Sequence, residues 1–67
     1  MKWYGVKAYQ PSYDGHYIVR SVDENNFVDI SYILWDGKKW CDFYNENKLF
    51  YATVTHFVIP DPIEVEG

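Results

Sequence analysis

Turn-forming residues recur along this chain at intervals that leave only strand-length pieces between them, and this spacing limits the fold more than any other feature. The breaks fall at Gln10-Pro11-Ser12-Tyr13-Asp14-Gly15, Asp23-Glu24-Asn25-Asn26, Asp36-Gly37 and Pro60-Asp61-Pro62. Gly supplies positive φ, Pro a fixed φ, and Asn and Asp local hydrogen bonds to the backbone. Between the breaks lie runs rich in Val, Ile, Tyr, Phe and Trp, residues that suit a pleated, half-buried surface. Apolar residues at helical spacing are missing, except that residues 45–53 offer a helical turn or two. The sequence therefore predicts a mainly β chain, or a small α+β variant of it. Its expected core is an antiparallel meander of three to four strands, with a short helical or irregular segment around 45–53.

Three strands are expected in close succession, over 16–22, 27–35 and 38–44, with 54–59 as a fourth and 3–9 as a further edge strand. Asp36-Gly37 between two apolar runs is a strong hairpin signal, because a two-residue type I′ turn needs positive φ at both central positions. Such a turn sets Trp35 against Lys38 and Ile33 against Trp40. A four-residue loop over 23–26 sets Val22 against Phe27 and Arg20 against Asp29, a favourable opposite-charge pair. Alternation along the strands then gives one face to Tyr17, Val19, Val28, Ile30, Tyr32 and Leu34, joined by Cys41 and Phe43. That face is the expected core. The other carries Ile18, Ile33, Trp35 and Trp40 among polar residues, more apolar surface than water favours, and so calls for a cover or a partner.

With 67 residues, the chain has room for one domain, 1–67, in which 63–67 reads as a charged, glycine-ended tail. It buries about 60% of the surface its unfolded form exposes. Folding is nevertheless expected, since 21% of the residues are aromatic and disordered chains lack aromatics. Six basic residues against ten acidic ones give a net charge of −4, which speaks against a duplex-binding module that must neutralise phosphates. The lone Cys41 excludes an internal disulfide and a four-cysteine zinc site. No metal or other cofactor is expected. The first residues show no signal-peptide pattern, and no apolar run is long enough to cross a bilayer. The expected compartment is the cytoplasm.

The order of motifs resembles a known family. Pro11 and Gly15 lead into His16-Tyr17-Ile18-Val19, followed by Val28-Asp29-Ile30-Ser31-Tyr32 and Asp36-Gly37-Lys38-Lys39-Trp40. Val54-Thr55-His56-Phe57, with Pro60 and Pro62 after it, closes the series. This arrangement is similar to the short phage and prophage proteins of domain-of-unknown-function family 551, with Phe57 where that family usually has Trp. The resemblance implies a mobile-element origin and a fold, and assigns no chemistry. It marks Thr55, His56 and Phe57 as signature residues, for which a structural role is expected.

Few side chains here suit catalysis. A Cys–His pair needs a partly exposed thiolate beside a base, and the expected register turns Cys41 into the core. The carboxylates are scattered, and a sheet this small encloses no cleft to bring two of them together. The function expected is that of a non-catalytic accessory protein gripping a protein partner, either a host or defence component or a second copy of itself. Trp35 and Trp40 serve as aromatic anchors in this reading and Asp36, Lys38 and Asp42 as the polar rim, the usual composition of an interface hot spot. The same tryptophans also suit a place under the 45–53 segment. The alternative is a small ligand-binding or enzymatic domain using His16, Cys41 or His56.

Overall fold

The computed structural model describes residues 2–59; the expected tail at 63–67 and the prolines before it lie outside the described residues. Among the described residues six strands form one antiparallel sheet: β1 (Lys2–Gly5), β2 (Gly15–Val22), β3 (Val28–Trp35), β4 (Trp40–Asp42), β5 (Asn45–Leu49) and β6 (Thr53–Ile59). Their order across the sheet is β1-β6-β2-β3-β4-β5. The mainly β, antiparallel reading agrees with this, and the meander is β2-β3-β4-β5. The last strand returns to the far side of β2, and β1 adds beyond it as an edge.

Residues 45–53 hold no helical turn. Asn45–Leu49 is an exposed edge strand against β4. Its start is set by Asn45, whose side-chain oxygen accepts from the Asn47 N–H at 3.0 Å. Asn-Glu-Asn-Lys is a polar sequence without an apolar stripe, so no packing favours a helix over the open edge of β4.

The first hairpin corrects the expected register by one residue. Asp23 pairs with Phe27 through the Asp23 N–H to the Phe27 carbonyl at 3.0 Å, which leaves a three-residue loop in place of four. Asp23 Oδ1 accepts from the backbone N–H groups of Asn25 and Phe27, at 2.8 and 3.0 Å. Asn26 takes φ 63°, the left-handed conformation that closes three-residue loops and that Asn tolerates. Val22 therefore faces Val28, and Arg20 faces Ile30 rather than Asp29. A slip of one residue moves a whole strand's side chains to the opposite face. Ile33 and Trp35 go inside with Tyr17 and Val19, while Val28, Ile30 and Tyr32 turn outward.

The second hairpin is at Asp36-Gly37 as expected, but its tip is one residue further along. Trp35 faces Trp40 and Leu34 faces Cys41, with the Asp36 N–H donating to the Lys39 carbonyl at 3.2 Å. Relative to the expected pairing this slips by two residues, so it preserves which residues share a face. Gly37 has φ 99°, where a β-branched side chain is strained by about 1–3 kcal/mol. Gly37→Val is expected to lower the melting temperature clearly in a thermal unfolding experiment, while Lys38→Val leaves it near the wild type.

The core gathers Val19, Ile33, Val54 and Phe57, with Tyr4, Val6, Tyr17, Trp40 and Phe50 packed against it. Several of these come from the connections. After β1 the chain doubles back, as Ala8 and Tyr9 donate to the Gly5 carbonyl and Val6 to that of Thr55. Tyr9 then meets Tyr4 edge-on at 5.2 Å, and the Tyr17 hydroxyl donates to the Tyr13 carbonyl at 2.7 Å. One face of the sheet is thus covered by its own connections.

Candidate functional site

Among the described residues, the face opposite these connections carries the surface features that packing leaves unexplained. Val28, Ile30 and Tyr32 on β3 are 52%, 55% and 54% exposed. Ile18 on β2, Phe43 after β4 and Trp3 on β1 add to them, all exposed. Aromatic side chains carry about 150–250 Å² each and Val and Ile somewhat less, so these six leave roughly 500 Å² of apolar surface in water. Isolated apolar groups on a surface are ordinary, but a contiguous patch of this size marks an interaction site. His16, Tyr32 and Phe43 pack as an aromatic trio, with ring centroids 4.7 to 5.7 Å apart.

The tryptophan-bearing turn contributes less than the sequence suggested. Trp35 is only 5% exposed, packed at 4.8 Å from Trp40, which is half-buried and reaches Phe57 at 6.0 Å. As an exposed anchor, Trp35 is corrected: the one-residue slip of β3 turns it inward. The rim expected around it is occupied with turn-making. Asp36 Oδ1 accepts from the N–H groups of Lys38 and Lys39, and Oδ2 pairs with the Lys39 ammonium at 2.6 Å. An Asp42 carboxylate oxygen lies 3.4 Å from the Tyr44 N–H. These bonds hold the Asp36 carboxyl below the ordinary carboxylate range, the Lys39 side chain first among the causes and the backbone N–H groups of Lys39 and Lys38 next.

A carboxyl lowered in the folded state contributes stability above its unfolded value of about 3.9, and that contribution is lost as pH falls below it. The melting-temperature difference between wild type and Asp36→Asn is therefore expected to shrink as pH falls below about 4. A difference that stays constant across that window removes the carboxylate from the turn's stability.

The groups suited to chemistry are not gathered. Cys41 is fully buried, its Sγ 3.7 Å from the Lys39 carbonyl, and burial, then the Asp36 charge, raise the thiol above its ordinary value. His16 stacks on Tyr32 at the opposite end of β2 from the Arg20 pairing that faces His56. Among the described residues no three His, Cys, Asp or Glu side chains cluster so as to hold a metal, and no helix is long and apolar enough to cross a membrane.

A second feature of the open face was not legible in the sequence. The ladder between β2 and β6 slips at Arg20/Ser21, where His56 faces Arg20 and Val54 already faces Ser21. Thr55 is the extra residue, so Thr55 and His56 together oppose Arg20, a two-against-one bulge. The Arg20 guanidinium donates to Thr55 Oγ1 at 2.8 Å, and the Thr55 hydroxyl donates to the Arg20 carbonyl at 3.2 Å. With that proton committed, the 2.9 Å contact between His56 Nδ1 and Thr55 Oγ1 has the imidazole as donor. Phe57, the third signature residue, is fully buried in the core. Thr55 and His56 instead build a polar corner beside the apolar patch. Nothing in a Thr-His pair announces a bulge; only pairing with Arg20 reveals it.

No family model, curated protein or solved structure matches this chain. The resemblance to family 551 rests on the order of its motifs alone.

Proposed function

We propose that this protein is a non-catalytic binding module that grips a protein partner through the open face of its sheet. The observation carrying this reading is the roughly 500 Å² of apolar surface there, set against about 800 Å² contributed by each side of a standard interface. The grip is centred on Ile18, Ile30 and Tyr32, and Trp40 contributes at most a half-buried flank. In keeping with the motif order, the protein belongs to the small accessory proteins of phages and prophages. It acts in the host cytoplasm on a host or defence component. The net charge of −4 disfavours duplex nucleic acid and anionic membrane surfaces as partners. A buried, raised thiol makes a poor nucleophile, which weighs against an enzyme using Cys41 with His16 or His56.

The test is affinity capture from the natural host with wild-type protein and with an Ile30→Ser, Tyr32→Ser double variant. Both positions are more than half exposed, so the variant is expected to stay folded with a moderately lower melting temperature and to lose the captured partner. Equal capture by both proteins removes this face from the interaction. Turnover of a small molecule that stops in Cys41→Ala overturns the binding class altogether.

A further inference from the structure

The bulge at Thr55 serves the core and the open face together. Val54 and Phe57 lie three residues apart, so strict alternation would send them to opposite faces, and the extra residue lets both face inward. On the outer side the bulge places Thr55 and His56 side by side against Arg20, on the face that carries Ile18 and Ile30. Bulges concentrate where a side chain must be re-aimed.

The surroundings of this corner are one-sided in charge. Beside it is a depression of about 430 Å³ bordered by Gly5, Lys7, Arg20, Thr55 and His56, with no carboxylate among its lining residues. Among the described residues the one ion pair is Lys39–Asp36, in the distant turn. Among the described residues the Arg20 side chain makes one hydrogen bond, to Thr55, out of the five N–H groups a guanidinium offers. In a chain of net charge −4, a cationic corner on an otherwise apolar face is a specific feature.

Resting on the reading of this face as the binding surface, we infer that its occupant is an acidic–apolar segment of another protein. Its carboxylate pairs with Arg20, and its neighbouring apolar side chains lie over Ile18 and Ile30. Arg20 and Ile18 are two residues apart on one strand, about 7 Å, so the acid and its apolar neighbour must have that spacing. A second copy fits badly. Face-to-face packing of two such sheets would bury guanidinium groups against apolar surface without a carboxylate, a cost that disfavours the pairing. A lipid surface fits badly too, because one arginine and one lysine do not offset the overall negative charge.

The probe is hexanoate, whose chain matches the Arg20–Ile18 spacing, compared with hexanamide, which keeps the shape and drops the charge. Both are titrated into the full chain and followed by amide and methyl NMR shifts. The expected result is perturbation centred on Arg20, Ile18 and Ile30, with hexanoate binding roughly tenfold more tightly than the amide. Arg20→Gln is expected to abolish that ratio and Arg20→Lys to restore part of it, whereas a purely structural Arg20 would leave the ratio unmoved.

Equal binding of acid and amide on this face sinks the carboxylate pairing and leaves the apolar reading standing; no perturbation of the face by either probe counts against both. Two further results overturn the choice of occupant. One is a dimer by light scattering that Ile30→Ser with Tyr32→Ser dissolves. The other is co-sedimentation with phosphatidylserine-containing vesicles.

Discussion

Phe57→Ala is expected to unfold most of the population under conditions where the wild type is folded. Phe57 is fully buried, and three strands each send it an aromatic ring. Tyr4 from β1 stacks at 5.8 Å, Tyr17 from β2 meets it edge-on at 6.0 Å, and Trp40 from β4 tilts against it at 6.0 Å. Truncation removes the transfer free energy of the ring and leaves a cavity that rigid aromatic neighbours cannot close, about 3–5 kcal/mol together. A domain of this length has roughly 3–10 kcal/mol in total. Urea unfolding followed by circular dichroism measures the loss, and Phe57→Leu serves as the milder comparison. A cost under about 1 kcal/mol for Phe57→Ala would mean that the residue is not the centre of the core.

The strands were readable from the sequence because turn residues bounded them. The expected strand over 16–22 differs from β2 by one residue at its start, as does 27–35 from β3. What was not readable was the pairing between them, since it hangs on a single loop residue. Asp23-Glu24-Asn25-Asn26 supports a four-residue loop or a three-residue one, and Asn26 at positive φ decides for the latter. That one choice exchanged the two faces of β3, and with them the roles of Ile30 and Trp35. Charge argued the wrong way here. An exposed Arg20–Asp29 pair is worth about 1 kcal/mol or less, too little to set register against the burial of Ile33 and Trp35. Strand β5 escaped notice for a related reason: its first four residues are polar, and edge pairing with β4 supplies what its sequence does not advertise. The Arg20–Thr55–His56 corner depends on two segments 35 residues apart, a distance over which no local pattern informs.

Trp35→Ala carries the second large expected effect, and it separates a core tryptophan from an interface one. An interface anchor removed from a free monomer costs little stability, because its ring was already in water. Trp35 is buried beside Trp40 at the end of β3, so its truncation opens a cavity between β3 and β4 and is expected to cost about 3–5 kcal/mol. Tyr32→Ala, at an exposed position on the open face of the same strand, is expected to cost about 1 kcal/mol or less. Fluorescence distinguishes the two sites without unfolding the chain. Of the three tryptophans Trp3 is exposed, Trp40 half-buried and Trp35 buried, so Trp35 supplies the blue side of the emission. Trp35→Phe keeps most of the packing and is expected to shift the native emission to the red while the fold persists. If Trp35→Ala instead melts with the wild type and Trp35→Phe leaves the spectrum unchanged, Trp35 faces water. The register of the first hairpin then reverts to the four-residue loop, and Val28, Ile30 and Tyr32 return to the core together, because the faces of a strand can only be exchanged as a set.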